Sequence, residues 1–407
     1  MTAAAATSVE KGAQSSKGES RVAVLDGLRA VAILLVMAFH YGVRWTPPHS
    51  DADLYPYQGF FTHLPVLGPV LDYGWAGVEL FFVISGFVIC MTLERCNSAW
   101  DFARRRLARL WPAMLVCAAI TLIVSQFGPA QWKVGPLSVV SSLLFIDPNL
   151  FGSWFHVSGL GWVDGVYWTL WIEVRFYIMA AILFALFRKR FLPALTVVTA
   201  ASFLAGVRLF HYQHRDWAWL LLLPTFLPYF TFGVGLFRAN AARRLTVETG
   251  AAMGISTLII FAQGWLSFDY PAGGPIGFAI VNAVILTAFV LFALGSPLVR
   301  PFGWGPLARL GEASYSLYLI HSVAGIVLIR ILSGVMPWPV ALALVTAAMI
   351  ALALALFRWV EVPGKRLILR ISSSAFWTPS TVRPRLARLP VLRRMSSQSL
   401  PSTLPNG

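Results

Sequence analysis

The stretch VAVLDGLRAVAILLVMAFHYGV, residues 22–43, is apolar and long enough to cross a lipid bilayer as a single helix. It nevertheless carries Asp26 and Arg29 near its start and His40 near its end. From Arg29 to His40 the chain advances eleven residues, which is three helical turns plus about 20°, so both side chains project from one helix face, about 16 Å apart along the axis. Because an ionisable side chain costs about 3 kcal/mol at the bilayer centre, these residues are candidates for a functional site.

Composition indicates that the chain is a polytopic membrane protein. Hydrophobic residues make up 57% of the 407 residues, charged residues make up 12%, and the mean hydropathy is +0.70. A water-soluble domain would not bury so large an apolar fraction. The net charge of +15 does not indicate a nucleic-acid partner, because the basic residues cluster in alternate loops as the positive-inside rule predicts.

Hydropathy and the basic loops together predict an all-α integral membrane protein, a bundle of about ten transmembrane helices with both termini cytoplasmic. Its expected location is the plasma membrane, as a multi-pass protein. The predicted spans are 22–43, 75–93, 109–127, 166–187, 192–209, 217–237, 249–266, 276–294, 312–332 and 339–358.

The predicted domain organisation has three parts. Residues 1–21 form a disordered cytoplasmic leader, residues 22–366 the ten-helix transmembrane domain, and residues 367–407 a basic, mostly disordered cytoplasmic tail. The three cysteines lie in spans or an inside loop and have no metal-ligand spacing, so we expect neither a disulfide framework nor a metal site.

Orientation places the polar residues by depth. In the block GVELFFVISGF, residues 77–87, Glu79 lies near the outer end of its span and is predicted to reach the depth of His40. A carboxylate there would fix the imidazole tautomer and leave its other nitrogen basic. The sequence therefore predicts His40 as a general base oriented by Glu79.

Further polar residues are predicted to surround a cavity. At the cytoplasmic face Arg106 and Arg109 point the same way on a helix and would join Arg29 in a pocket suited to phosphates. Glu173 is predicted about 10 Å below the outer surface, either in the cavity or as a structural partner of a helix end or of Arg175. Additional candidate lining residues are Trp168, Tyr318 and His321; the stripe from Ser314 to His321 also fits simple packing.

At these residues the chain resembles the membrane-bound acyltransferase 3 family. Six blocks match in order: Arg29-x10-His40, residues 77–87, the pair Arg106 and Arg109, YWTLWIE at 167–173, SYSLYLIH at 314–321 and RWVEVP at 358–363. Thr169 stands where many relatives have serine, and Val362 where arginine is common. The layout is similar to stand-alone members, including those that acylate the sugars of macrolide antibiotics.

The resemblance implies an O-acyltransferase that takes an acyl group from acyl-CoA and places it on a hydroxyl of a sugar or glycosylated small molecule such as a macrolide. It maps the family's essential histidine and arginine onto His40 and Arg29, and its arginine pair onto Arg106 and Arg109. Acyl-CoA is then a donor substrate, no tightly bound cofactor is expected, and the partners are the acceptor and the bilayer. Direct transfer and a transient acyl-histidine both remain open.

Two alternatives fit the same residues. Buried Asp, Glu, Arg and His also suit a proton-coupled transporter, although no repeat-related halves are recognisable in the sequence. The other keeps the enzyme and changes its acceptor to an exported polysaccharide or a cell-wall glycan.

Overall fold

A computed structural model describes residues 3–43, 61, 64–65, 67–211, 223–266 and 274–374, and these residues form helices and turns without a β-strand. Helices suit the apolar runs because a helix satisfies its own backbone N–H and C=O groups where no water is present. Numbered in chain order, the α-helices are α1 (Ala3–Gly42), α2 (Leu67–Asp72), α3 (Gly77–Leu93), α4 (Ala99–Ser125), α5 (Pro136–Leu143), α6 (Pro148–Phe155), α7 (Trp168–Phe187), α8 (Phe191–His211), α9 (Leu227–Ala242), α10 (Val247–Leu266), α11 (Gly274–Leu294), α12 (Gly305–Glu312), α13 (Ser314–Ile320), α14 (Val323–Ser333), α15 (Trp338–Leu356) and α16 (Val362–Ser374).

Among the described residues, seven helices are long and apolar enough to cross a membrane, or eight if the bent pair α13 and α14 is one span. The described residues are therefore those of a helical, multi-pass membrane protein. Predicted spans 166–187 and 192–209 correspond to α7 and α8, which a short 3-10 turn joins into one apolar stretch, Gly165–Val207. Predicted span 217–237 is described only from residue 223 onward. The count of ten spans stays a prediction, as does the cytoplasmic side of both termini.

At both ends a helix runs past the predicted domain boundary, and the three-part organisation itself stays a prediction. Helix α1 begins at Ala3, so residues 3–21 of the expected disordered leader are helical in the structure. Alanine and charged residues of good helix propensity continue a helix that the apolar span has already nucleated. At the other end α16 runs eight residues past the expected boundary at 366, and residues 375–407 lie outside the described part.

Helices α3 and α9 touch backbone to backbone at two glycines. A Cβ atom at Gly86 would overlap the carbonyl oxygen of Phe230, and one at Gly233 would overlap that of Val83. Small residues allow such close approach, which gains van der Waals contact where lipid supplies no hydrophobic drive. This contact fixes α3, whose other faces meet α1 and the cavity described next.

Candidate active site

One cavity lies between helices α1, α3, α4, α7 and α13. The space free of protein atoms within it is about 770 Å³, part of it open to the outside. Its wall comprises Arg29, Val78, Phe81, Phe82, Ile84, Ser85, Val88, Ile89, Arg106, Arg109, Leu110, Thr169, Leu170, Glu173, Tyr177, Ser314, Tyr315 and Tyr318. The three predicted phosphate-binding arginines therefore share one cavity with Glu173 and Tyr318.

Two of these arginines are already paired with carboxylates. Arg29 Nη1 donates to Asp26 Oδ1 at 3.0 Å, one turn earlier on α1. Arg109 forms an ion pair with Glu361, which is buried and also accepts a hydrogen bond from the Ser316 hydroxyl at 3.1 Å. Both positive charges are thus partly balanced within the protein itself.

Arg106 has a different environment. Its Nη2 donates to the Thr92 hydroxyl at 2.8 Å, and its guanidinium lies 5.8 Å and 5.7 Å from the ring centroids of Phe102 and Tyr177. Within the described ranges no carboxylate lies at ion-pair distance from it. Arg106 therefore offers the cavity a positive charge without a neutralising partner.

His40 is paired with a second histidine. His40 Nδ1 lies 3.0 Å from His321 Nε2, and His321 Nδ1 lies 2.9 Å from the carbonyl oxygen of Tyr318. A carbonyl only accepts, so Nδ1 of His321 carries the proton, and Nε2 of a neutral His321 must then accept from Nδ1 of His40. This chain of hydrogen bonds leaves His40 Nε2 as an unprotonated, basic nitrogen.

Tyr318 connects the cavity to this histidine pair. Its ring lines the cavity and its centroid is 5.6 Å from that of His321. Its hydroxyl lies 2.8 Å from the Thr169 hydroxyl and donates to Val166 O at 3.2 Å. The cavity thus extends from the arginines to the residue that touches the histidines.

Glu79 does not orient His40 as predicted. Among the described residues no hydrogen bond or ion pair joins Glu79 to His40, and the ring nitrogen Nδ1 of His40 lies 3.0 Å from His321 Nε2 instead. Glu79 is buried, and its Oε2 has no hydrogen-bond partner within the described residues. His321, rather than Glu79, therefore lies beside His40.

Glu173 lies in the cavity rather than beside Arg175. One of its carboxylate oxygens accepts a hydrogen bond from the Ser85 hydroxyl across the cavity. Arg175 instead lies 4.7 Å from the centroid of the Trp171 ring and donates to Trp171 O at 3.3 Å. Glu173 therefore lines the cavity, and its role there stays a prediction.

Trp168 is outside the cavity wall. Its side chain is partly exposed, and its ring packs against Phe226 with centroids 5.4 Å apart. Tyr318 and His321, the other two lining candidates, do lie at the site.

The sequence analysis missed several residues that hold the histidine pair. Tyr41 donates its hydroxyl proton to His321 O at 2.7 Å. Asp164 and Tyr167 contact the backbone on the two sides of His321, at the bend of 59° between α13 and α14. An aspartate directly before Gly165 is a recognisable helix-capping signal, but nothing local indicates that it caps a helix 159 residues away.

The chain is similar in sequence to several O-acetyltransferases. A chain from Staphylococcus aureus called O-acetyltransferase OatA is 25% identical over 331 residues, which cover 73% of this chain and 49% of the relative. The peptidoglycan O-acetyltransferase OatA of Listeria monocytogenes is 26% identical over 375 residues, covering 84% and 55%. An O-acetyl transferase of Shigella phage Sf6 is 23% identical over 294 residues, covering 68% and 78%.

This chain spans about half the length of the two bacterial relatives. No solved structure matches it. The acyltransferase 3 family, described as an acyltransferase domain, matches residues 22–358. The resemblance seen in the six sequence blocks is therefore confirmed, and the chain belongs to the acyltransferase 3 family.

Proposed function

We propose that the protein is a membrane-bound O-acyltransferase that moves an acyl group, acetyl in the first instance, from acyl-CoA to a hydroxyl of a sugar. The observation that carries the proposal is the single cavity that joins unpaired Arg106 to Tyr318 and, through it, to the His40–His321 pair. Family membership and the O-acetyltransferase names of the relatives support the same chemistry.

Arg106 is the proposed primary contact for the phosphates of acyl-CoA. A guanidinium binds phosphate oxygens by charge-assisted hydrogen bonds, and one without a carboxylate partner does so at the least cost. Arg29 and Arg109 lie in the same cavity wall and add positive potential, although Asp26 and Glu361 already engage them. In the proposed topology of ten spans in the plasma membrane, with both termini cytoplasmic, this end faces the cytoplasm, where acyl-CoA is made.

The proposed chemical step takes place at His40 Nε2. It accepts the proton of the acceptor hydroxyl as that oxygen attacks the thioester carbonyl, so a C–O bond forms and the carbonyl opens to a tetrahedral oxyanion. The oxyanion then collapses, the C–S bond breaks, and the imidazolium returns the proton to the CoA sulfur. General-base catalysis of this kind contributes about 10²–10⁴-fold in rate.

His321 has a supporting role in this step. Because it accepts the Nδ1 proton of His40, it holds the tautomer in which Nε2 is basic. It also stabilises the imidazolium that forms when Nε2 is protonated. A base without such a partner rotates and exchanges tautomers, which lowers the fraction of productive encounters.

A glycan is the acceptor that the comparisons favour, since one relative is named for peptidoglycan. A macrolide carries the same kind of sugar hydroxyl, so it belongs in the same test.

The test is acceptor-dependent release of free CoA by purified protein in lipid nanodiscs supplied with acetyl-CoA. The acceptor panel holds peptidoglycan fragments, an exopolysaccharide fragment and a glycosylated macrolide. Wild type is compared with His40→Ala and with His156→Asn, which changes an exposed histidine at a left-handed helix cap where asparagine is tolerated.

We expect release by wild type and His156→Asn and its loss in His40→Ala. Equal release by His40→Ala would remove His40 from the chemistry. Folded wild-type protein that releases no CoA with any acceptor would overturn the proposal and favour a transport function.

A further inference from the structure

The span that carries His321 is interrupted at the bend, and a distant segment supplies new partners for both groups of one missing helical hydrogen bond. In an uninterrupted helix the N–H of Val323 would donate to the carbonyl of Leu319. Here Val323 N–H donates to Asp164 Oδ2 at 2.8 Å, and Leu319 O accepts from the Tyr167 hydroxyl at 2.9 Å. Segment 164–167 therefore holds the bend between α13 and α14 from both sides.

The two carboxylate oxygens of Asp164 accept hydrogen bonds from different segments, so the side chain links the bend to residues 164–167. Oδ2 accepts from Val323 N, and Oδ1 accepts from Val166 N at 3.2 Å, within its own segment. The side chain is fully buried, so water does not replace a lost acceptor. Without the carboxylate, the Val323 N–H would find its acceptor again in the Leu319 carbonyl, and the span would straighten.

Straightening would remove the contact that sets the histidine tautomers. In a continuous helix the Tyr318 carbonyl would accept from the N–H of Ser322. At the bend it accepts instead from Nδ1 of His321, which directs Nε2 of His321 toward His40. The bend that Asp164 stabilises thus makes the Tyr318 carbonyl available to His321.

We propose that Asp164 is a positioning residue: by holding Val323 it keeps the bend open, and the bend keeps His321 in the orientation that leaves His40 Nε2 basic. The inference rests on the proposed acyl transfer, in which His40 is the base. Asp164 does not touch the reacting atoms and acts through His321.

A double-mutant cycle tests this coupling in the full-length protein. The variants are Asp164→Asn, His321→Ala and the combination, assayed for acetyl transfer with separate kcat and KM for acetyl-CoA. The matched control is Asp147→Asn, because Asp147 caps α6 in the same connection between spans through Asn149 N and Leu150 N and has no contact with the bend.

We expect Asp164→Asn to lower kcat by about 10-fold or more with KM within about 2-fold, and Asp147→Asn to leave both within about 2-fold. On the His321→Ala background, Asp164→Asn should add less than about 2-fold, because its effect passes through the missing histidine. Equal losses on both backgrounds would overturn the proposal. If Asp164→Asn does not fold, Tyr167→Phe removes the other replacement contact without changing charge and carries the same expectations.

A second readout needs no substrate. Diethyl pyrocarbonate modifies the unprotonated nitrogen of accessible histidine, and peptide mass spectrometry gives the rate at His40, whose side chain is partly exposed. Loosening the pair should change that rate by about 3-fold or more in Asp164→Asn and leave it unchanged in Asp147→Asn. An unchanged modification rate in Asp164→Asn would overturn the positioning role of Asp164, whether or not the wild-type protein transfers an acetyl group. Absence of acetyl transfer by wild type would refute only the proposed function.

Discussion

His40 Nδ1 lies 3.0 Å from Nε2 of His321, although 281 residues separate the two along the chain. The first is on α1 and the second is at the bend between α13 and α14, so the pair joins the start of the membrane domain to its end. Neutral imidazoles joined in this way have one direction of hydrogen bonding, fixed by the Tyr318 carbonyl.

Replacing His321 should impair the chemical step rather than donor binding. In His321→Ala the His40 ring loses its contact with Nε2 of His321, so we expect kcat to fall by about 10- to 100-fold, with KM for acetyl-CoA near the wild-type value. His321→Gln keeps an oxygen acceptor within reach and should recover part of the loss. Steady-state kinetics of the three proteins decides this, and a raised KM with unchanged kcat would contradict it.

Substitution of Arg106 should weaken the binding of acetyl-CoA, whereas substitution of a nearby arginine outside the cavity should not. Arg106→Ala removes a cation that no carboxylate neutralises, so we expect KM for acetyl-CoA to rise by about 10-fold or more. The control is Arg104→Ala, because Arg104 pairs with Asp101 at 2.7 Å and does not line the cavity. Equal KM values for these two variants would argue against Arg106 as the phosphate contact.

Arg109→Ala should chiefly reduce stability. It leaves Glu361 buried without its ion-pair partner, a loss of about 1–3 kcal/mol for an unsatisfied buried group. The double variant Arg109→Ala with Glu361→Gln should unfold at a higher temperature than Arg109→Ala alone, because the buried charge is gone. Thermal unfolding of nanodisc samples measures both, and a double variant no more stable than the single one would contradict the assignment.

Asp164 should make stability depend on pH. Burial raises the pKa of its carboxyl from the ordinary 3.8 to about 6. Between these values the folded protein holds a proton that the unfolded chain has released, so stability is highest below pH 3.8, falls as pH rises and levels off above about pH 6. Asp164→Asn lacks this titration.

The measurement is the difference in melting temperature between wild type and Asp164→Asn from pH 4 to 7. Wild type should lose stability relative to the variant as pH rises through this window. Parallel curves would show that Asp164 does not titrate in this range.

Because α3 and α9 touch at glycines, replacing a contact glycine by alanine should lower stability, whereas the same change at a glycine with open space should not. At Gly233 an added methyl would overlap the Val83 carbonyl, so we expect Gly233→Ala to destabilise the protein by about 1–3 kcal/mol. Gly254 on α10 has open space at the corresponding position, and Gly254→Ala should be neutral or stabilising by up to about 1 kcal/mol. Melting temperatures of the two variants decide this, and similar values would contradict the backbone contact.

Local periodicity was sufficient for some of this architecture. It placed apolar helices at the predicted runs, put Arg29 and His40 on one span, and gathered Arg29, Arg106, Arg109, Glu173 and Tyr318 near one cavity. These results depend on hydropathy and helical spacing, which are properties of short stretches.

Hydropathy and helical spacing did not identify His321 as the partner of His40. Depth alone suggested Glu79, but Nδ1 of His40 meets His321 instead. The packing of helices depends on contacts between them, such as those of Gly77 and Gly86. The sequence of one span does not specify which other helix it will contact. Asp164 was missed for the same reason, since its binding partner at Val323 lies on another helix.

The bend at His321 also has a consequence for how the protein assembles. Its replacement contacts come from a segment 152 residues earlier in the chain, as the Tyr167–Leu319 hydrogen bond shows. Hydrophobic helices enter the bilayer individually and pack against one another afterwards. On insertion the ninth predicted span has only its own backbone to bond with, so its straight form is favoured at that stage. The histidine pair is accordingly a product of helix association, and it forms only after distant parts of the chain have met.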